Sequence, residues 1–516
     1  VTLRRAGGEE SQHALQVPGS AFPGSGRRLQ TIPFNDREQE GFYTLIVPPT
    51  GPRTRHTTAV FQLDPPPHPY LEQRDLAWGA FHWFNSAAYP NAHQQDTKAQ
   101  LFESDQTRDV SGGWYDAGDY GRYSVNGAWS VALPLMTWLI QPDALPGEIA
   151  PIHAPTEGRP AVLDLAKQEL DFLIKMQRED GAVYHKVASA EWPGLDETPQ
   201  ADDRVKTIMP ISSTATADFS AVMYLAARAF GQSPLPADRA LAEHYRRAAD
   251  RAYRFLQAYP DLIMIEDRYD NLEYGGPYTD PDDTDERLWT AIARHGFSNE
   301  PLSDDLYRQL WDLSGTERMG DAVPDWRHVN FLALFSYLSI PQADPLRKDA
   351  LLTRIERGFA PLREAQLQNP YGLMYAGEGE EFDWGSNGVI ATVGTQLLWL
   401  HHLTGNEEWY RAAYDMSHWF FGLNPHGKTW TVGARSYQIN HPHFRPMVSG
   451  AVDNPEGLLA GGPNSVGLKG DMAAQPLFSL APMRVYVDDQ ESWATNEVAI
   501  NWQAAWASYL SMLTAR

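Results

Sequence analysis

The sequence contains no cysteine, which excludes both a disulfide framework and a cysteine-ligated zinc. It has no apolar run approaching the ~20 residues that a membrane-spanning helix needs, so it is read as having no membrane partner. Positive charge is scarce: 42 Lys and Arg stand against 66 Asp and Glu, a formal net charge of −24. Such a field repels nucleic acid and anionic lipid, is indifferent to a neutral polymer, and attracts a cationic one. No signal-peptide pattern opens the chain, which starts at Val1 without Met, as a mature or trimmed form would.

Aromatic residues are plentiful, at 12% of 516 residues with 17 Trp. The length suffices for a large core. The chain divides near residue 65. Residues 1–64 carry short β-like runs at 1–5, 14–17, 29–34, 42–47 and 59–63 between turn-rich segments, and Pro65-Pro66-Pro67 makes a stiff junction. Beyond it the period is helical. Leu163, Ala166, Leu170 and Leu173 follow steps of 3, 4 and 3, as do Phe219, Val222, Ala226 and Ala229. About twelve helices are expected, near 70–88, 125–140, 160–178, 214–231, 239–257, 284–295, 303–314, 329–338, 344–360, 385–404, 406–421 and 493–513.

Three loop clusters carry chemistry. SGGWYDAGDYGRY, Ser111 to Tyr123, sets Asp116 and Asp119 three residues apart among Trp114, Tyr115, Tyr120 and Tyr123. Two close carboxylates can hold and deprotonate one water, and aromatic rings suit the flat faces of sugars. YVDDQESWATNEVAINWQAAW, Tyr486 to Trp506, places Glu497 among apolar residues, where desolvation raises a carboxyl pKa toward that of a general acid. Between them, His441, His443 and Arg445 alternate along what reads as an extended segment, three polar donors on one face suited to sugar hydroxyls. Zinc is disfavoured there because two His at i, i+2 lack a third ligand.

In order along the chain, these clusters resemble glycoside hydrolase family 9. The resemblance covers roughly Phe61 to the C-terminus and includes MPISSTATADFSAVMYLAARAF (Met209 to Phe230), DDTDERLW (Asp282 to Trp289), FDWGSNG (Phe382 to Gly388), the Asn424-Pro425 turn and Gly461-Gly462-Pro463-Asn464. Phe444 and Gln503 depart from the family pattern, which commonly has His and Asn there.

The resemblance implies a mainly α fold, an (α/α)6 barrel over residues 65–516. It also implies a small immunoglobulin-like β module over residues 1–64, short or truncated at its front. It implies an inverting hydrolase of β-1,4-glucans or cello-oligosaccharides. Asp116 and Asp119 would hold the attacking water, with Asp119 the general base and Glu497 the general acid. His443 and Arg445 would bind hydroxyls, and Tyr115, Trp384, Tyr437 and Trp493 are further substrate contacts. No cofactor is required for the chemistry. A structural calcium would use Asp285, Glu286 and Asp325, where Asp280 to Glu286 already crowd hard oxygen ligands without the glycine of an EF-hand. A secreted or periplasmic monomer acting on a polysaccharide fits this picture. The rival readings are an exo-β-glucosaminidase on the same scaffold, which the acidic charge favours, and a glycan-binding protein without catalysis, against which the Asp116, Asp119 and Glu497 trio argues.

Overall fold

The structure, a computed structural model, describes residues 70–265, 274–314, 324–374, 382–433 and 437–515, with the backbone of four strands ahead of them. Those strands are β1 (Thr2–Arg5), β2 (Glu10–Gln12), β3 (Gly41–Val47) and β4 (Thr57–Leu63), all antiparallel in the order β2-β1-β3-β4. The expected strands at 14–17 and 29–34, and the Pro65-Pro66-Pro67 junction, lie outside the described residues.

Twelve helices of nine or more residues follow among the described residues. They are α1 (Leu71–Gly79), α2 (Ser124–Ile140), α3 (Ala161–Met176), α4 (Ser213–Gly231), α5 (Asp238–Ala258) and α6 (Thr284–His295). The rest are α7 (Asp304–Leu313), α8 (Asn330–Leu338), α9 (Pro345–Gln368), α10 (Ser386–Thr404), α11 (Glu407–Ser417) and α12 (Ile500–Thr514). The even-numbered helices form an inner ring. α2 packs on α4, α4 on α6, α6 on α8, α10 on α12 and α12 back on α2. Trp399 of α10 closes the remaining gap against Phe331 and Phe335 of α8. The inner helix α4 is buried all round, from Ser213 to Phe230. A helix hydrophobic all round belongs in a core. Outer helices are two-faced, α5 burying Tyr245, Ala248, Ala252 and Phe255 while its arginines face water. This double ring is the (α/α)6 barrel that the sequence suggests.

Several expected helices differ in extent: α9, expected over 344–360, runs on to Gln368, and α11, expected to 421, ends at Ser417. The first helix, α1, stops at Gly79, and a short helix, Phe81–Phe84, follows. The last is broken: Trp493–Asn496 form one turn, Glu497 and Ala499 are extended, and α12 begins at Ile500. The break is enforced by pairing with distant chain, His443 with Glu497 and Ala460 with Val498. A five-stranded sheet lies beside the ring, in the order β6-β5-β9-β8-β7. Its strands are β5 (Ala99–Leu101), β6 (Thr107–Arg108), β7 (Arg122–Tyr123), β8 (Lys186–Ser189) and β9 (Lys206–Ile208), and β7 ends the Asp116–Asp119 loop.

Candidate active site

The loop from Ser111 to Tyr123 turns on Gly112 and Gly113, both in the left-handed region (φ 90° and 77°). Gly118 has a second reason to lack a side chain, since a Cβ there would lie 2.3 Å from the His443 carbonyl. The close approach lets Arg445 donate to the Gly118 carbonyl through Nη1 at 2.9 Å. The loop is also tied to the C-terminal segment by the Ile500 amide, which donates to the Asp116 carbonyl at 2.9 Å.

The two aspartates differ in what they touch. Asp116 is 3% exposed and both its oxygens are engaged: Asn126 Nδ2 donates to Oδ1 at 2.6 Å and the Tyr278 hydroxyl to Oδ2 at 2.7 Å. Burial and the charge of Asp119 push its carboxyl well above the usual range, while those two donors pull it back. Asp119 accepts the Tyr123 hydroxyl on Oδ2 at 3.0 Å, and its Oδ1 has no donor among the described residues. Each oxygen of Asp116 thus has a protein donor, whereas Asp119 keeps one oxygen with none.

Glu497 is held extended, its carbonyl accepting the Gly461 amide at 2.7 Å. Desolvation, then the charge of Asp119, raise its carboxyl well above the ordinary value, with Arg445 opposing. Such a group keeps its proton near neutrality, as a general acid must.

All three carboxyls line one cleft of roughly 560 Å³, walled by Trp129, Trp192, Tyr278, Trp326, Trp384 and Trp502. FDWGSNG shapes one wall. A Cβ at Gly385 or Gly388 would strike the Trp502 indole at 2.2 Å, so those glycines let the ring lie against the start of α10. Trp384 is 45% exposed, and Trp493 packs behind it with ring centroids 4.9 Å apart.

Other expected contacts lie elsewhere. Tyr115 is fully buried, its hydroxyl 2.6 Å from His93 Nδ1, so it supports the loop from beneath and has no face for a sugar. Tyr437 is 80% exposed at positive φ and does not line the cleft. His443 and Arg445 are both buried and neither lines the cleft. His443 Nδ1 donates to the Gln490 carbonyl at 2.6 Å, and burial lowers the ring to about 4. Arg445 spends Nε on the Pro193 carbonyl at 3.0 Å besides its bond to Gly118. These two residues hold backbone in place. The departures from the family pattern are also structural: Phe444 packs edge-on against Phe84, and Gln503 bridges Leu459, Ala77 and Gly457.

Trp192, Tyr278, Trp326 and Trp502 were not singled out from sequence. Only Trp192, in the turn Glu191-Trp192-Pro193-Gly194, carries a local signal, a large aromatic in a segment that cannot be helical.

The expected calcium ligands do not assemble as a set. Asp325 lies in the cleft wall and is engaged by Arg327 and His328, whereas Asp285 accepts the Val329 amide at 2.8 Å. Among the described residues no group of three or more His, Asp or Glu converges on a point where an ion would sit. Glu286, fully buried, and Asp218, 1% exposed, nevertheless have no donor to any carboxylate oxygen among the described residues. Burial raises both carboxyls well above the usual range, with Asp285 and Asp280 adding to Asp218, and Asp218, Asp285 and Asp280 adding to Glu286. Orphaned buried oxygens of this kind fit a hard cation.

A double helical ring with an aromatic cleft and three desolvated carboxyls is the arrangement of a glycoside hydrolase. The sequence pattern of Glycosyl hydrolase family 9 matches residues 75–510, and the chain belongs to that family. It is 29% identical over 442 residues to a xyloglucan-specific endo-β-1,4-glucanase of Bacteroides ovatus, covering 83% of this chain and 72% of the relative. It is likewise 29% identical over 422 residues to Endoglucanase C of Cellulomonas fimi, covering 78% of this chain but only 37% of that longer protein. The crystal structure of a thermostable endoglucanase from Alicyclobacillus acidocaldarius, a single mutant, superposes with a TM-score of 0.82 at 26% identity, covering 99% of this chain and 94% of that one.

Proposed function

We propose that the protein hydrolyses β-1,4-linked glucan chains with inversion at the anomeric carbon. The observation that carries this reading is the inequality of the two aspartates. Asp116, aimed by Asn126 and Tyr278 with one donor on each oxygen, keeps a further lone pair on each to orient a water. Asp119, with Oδ1 open, takes its proton. The water oxygen bonds to the anomeric carbon as the glycosidic C–O bond breaks, and Glu497 gives its proton to the departing oxygen. An inverting site of this kind keeps about 6.5–9.5 Å between acid and base to admit the water. The tryptophans of the cleft supply apolar faces for sugar rings. Relatives named as β-1,4-glucanases and endoglucanases support a glucan as substrate.

Proton NMR of the fresh product from cellohexaose is the test: the α-anomer is expected first, and an initial β-anomer overturns the water-holding role of the pair. Asp325 and Asp383 also line the cleft, a feature a glucosaminide would exploit. Chitosan oligomers belong in the same experiment, and faster cleavage of those would replace glucan as the substrate.

A structural calcium would be held by Asp218 and Glu286, whose carboxylate oxygens have no donor among the described residues, and would neutralise buried charge there. Residues 1–64 form a separate immunoglobulin-like module, for which the antiparallel order β2-β1-β3-β4 is the support.

A further inference from the structure

Glu169 is an ionisable residue in the middle of α3 that the proposed chemistry does not use, and it is 1% exposed. A buried carboxyl without a partner is costly, so its contacts repay attention. Oε2 accepts the backbone amide of Trp114, two residues before Asp116, at 2.7 Å. Two glycines leave room for the group: a Cβ at Gly113 would lie 3.0 Å from Oε2, and one at Gly127 would lie 2.3 Å from Oε1. Gly127 follows Asn126, whose side-chain amide holds Asp116 Oδ1 at 2.6 Å. A single carboxyl therefore touches both segments that aim Asp116, the Gly113–Trp114 chain and the first turn of α2.

We propose that Glu169 is a positioning residue for Asp116, locking the loop backbone and the Asn126 turn together so that the aspartate meets its water in one orientation. The inference rests on the reading of Asp116 as a member of the water-holding pair. Burial pushes the Glu169 carboxyl up to about 8, against the pull of the Trp114 amide and of Arg122 on β7. Below that pH it carries a proton, and once ionised it adds to the charge that raises Asp116. Asp116 faces the charges of Asp119 on its own loop and of Glu169 on α3, and the donors Asn126 of α2 and Tyr278 from the loop ahead of α6.

The experiment compares Glu169→Leu, Glu169→Gln and Asp116→Asn in the full chain, with kcat and KM on cellohexaose measured across pH. Folding is checked by near-UV circular dichroism. A misplacement of ~1 Å can cost about 10²-fold, so Glu169→Leu is expected to lose about 10–100-fold in kcat, with KM within about twofold. Its acid limb of kcat/KM should move up by about half a pH unit or more, because a displaced Asp116 loses the donors that favour its charged form. Glu169→Gln keeps the acceptor, the shape and the neutrality, and should stay within about threefold of wild type with its limb unmoved.

A folded Glu169→Leu with kcat within about threefold and an unmoved limb overturns the proposal, and so does a Gln variant as impaired as the Leu one. Should Glu169→Leu not fold, Glu169→Asp, whose reach is one methylene shorter, takes its place with the same expectations. Asp116→Asn separates the two levels. If it retains more than about a tenth of wild-type turnover, the assignment of Asp116 fails and the proposal fails with it. If it is inactive while Glu169→Leu is folded and unimpaired, the Glu169 proposal alone is wrong.

Discussion

The Tyr278 hydroxyl donates to Asp116 Oδ2 at 2.7 Å, so a residue from the loop ahead of α6 completes the shell of a carboxylate on a loop far away in the chain. A second tyrosine, Tyr123, four residues on in the same loop, donates to Asp119 Oδ2 and leaves Oδ1 without a donor among the described residues. Two neighbouring carboxylates are thereby each given a neutral donor, which tempers their repulsion without cancelling their charge.

Tyr278→Phe removes that donor and leaves the ring. The Tyr278 bond favours the charged form of Asp116, so its loss raises the carboxyl further and the acid limb of kcat/KM moves to higher pH. A fall in kcat of about tenfold is expected, from a hydrogen bond to a charged group. An unchanged pH profile, with kcat preserved, would show the bond to be incidental.

Glu497 and Asp119 are separable by leaving group. Glu497→Gln should lose about 10²–10⁴-fold on a natural glucan and keep much of its rate on a substrate with an activated aryl leaving group. Asp119→Asn should fail on both, with azide restoring some turnover by replacing water. Because the Glu497 carboxyl is raised, its ionisation sets the basic limb, which should flatten in the Gln variant. Turnover of the natural glucan by Glu497→Gln within about threefold of wild type, only about 0.65 kcal/mol, would refute the assignment.

Calcium should raise the melting temperature and excess chelator should lower it, because a ligand of the folded state adds RT ln(1 + [L]/Kd), about 2.7 kcal/mol at a hundredfold excess over Kd. Asp218→Asn with Glu286→Gln should abolish the response. Identical melting in calcium and chelator, with no metal by elemental analysis, removes the site.

Trp384→Ala should raise KM with little effect on melting, since the ring is 45% exposed in the cleft wall. A stability loss of about 3–5 kcal/mol with unaltered activity per folded molecule would mark it as core packing instead.

The helical ring was legible because local periodicity dictates it: steps of three and four along α3 and α4 bury one stripe or all sides. The loops were legible only where several chemical residues crowd together. Tyr115 sits one residue from Asp116, yet it points into His93 and not the cleft, since side-chain direction in a loop turned by Gly112 and Gly113 has no period to follow. Trp326 and Tyr278 stand alone in sequence and are brought edge to face by the fold. The break at Glu497 has no proline or glycine to announce it, because its cause is pairing with His443 and Ala460.

That break has a mechanical consequence. Glu497 belongs to neither the turn before it nor α12 after it, and its backbone is gripped from the side by Gly461. The Glu497 backbone is therefore fixed by pairing across the chain as well as by its covalent link to α12, whose first amide in turn ties to Asp116. The aim of this carboxyl then depends on the segments around His443 and Ala460-Gly461 as much as on the helix, a dependence that a glutamate within the helix would lack.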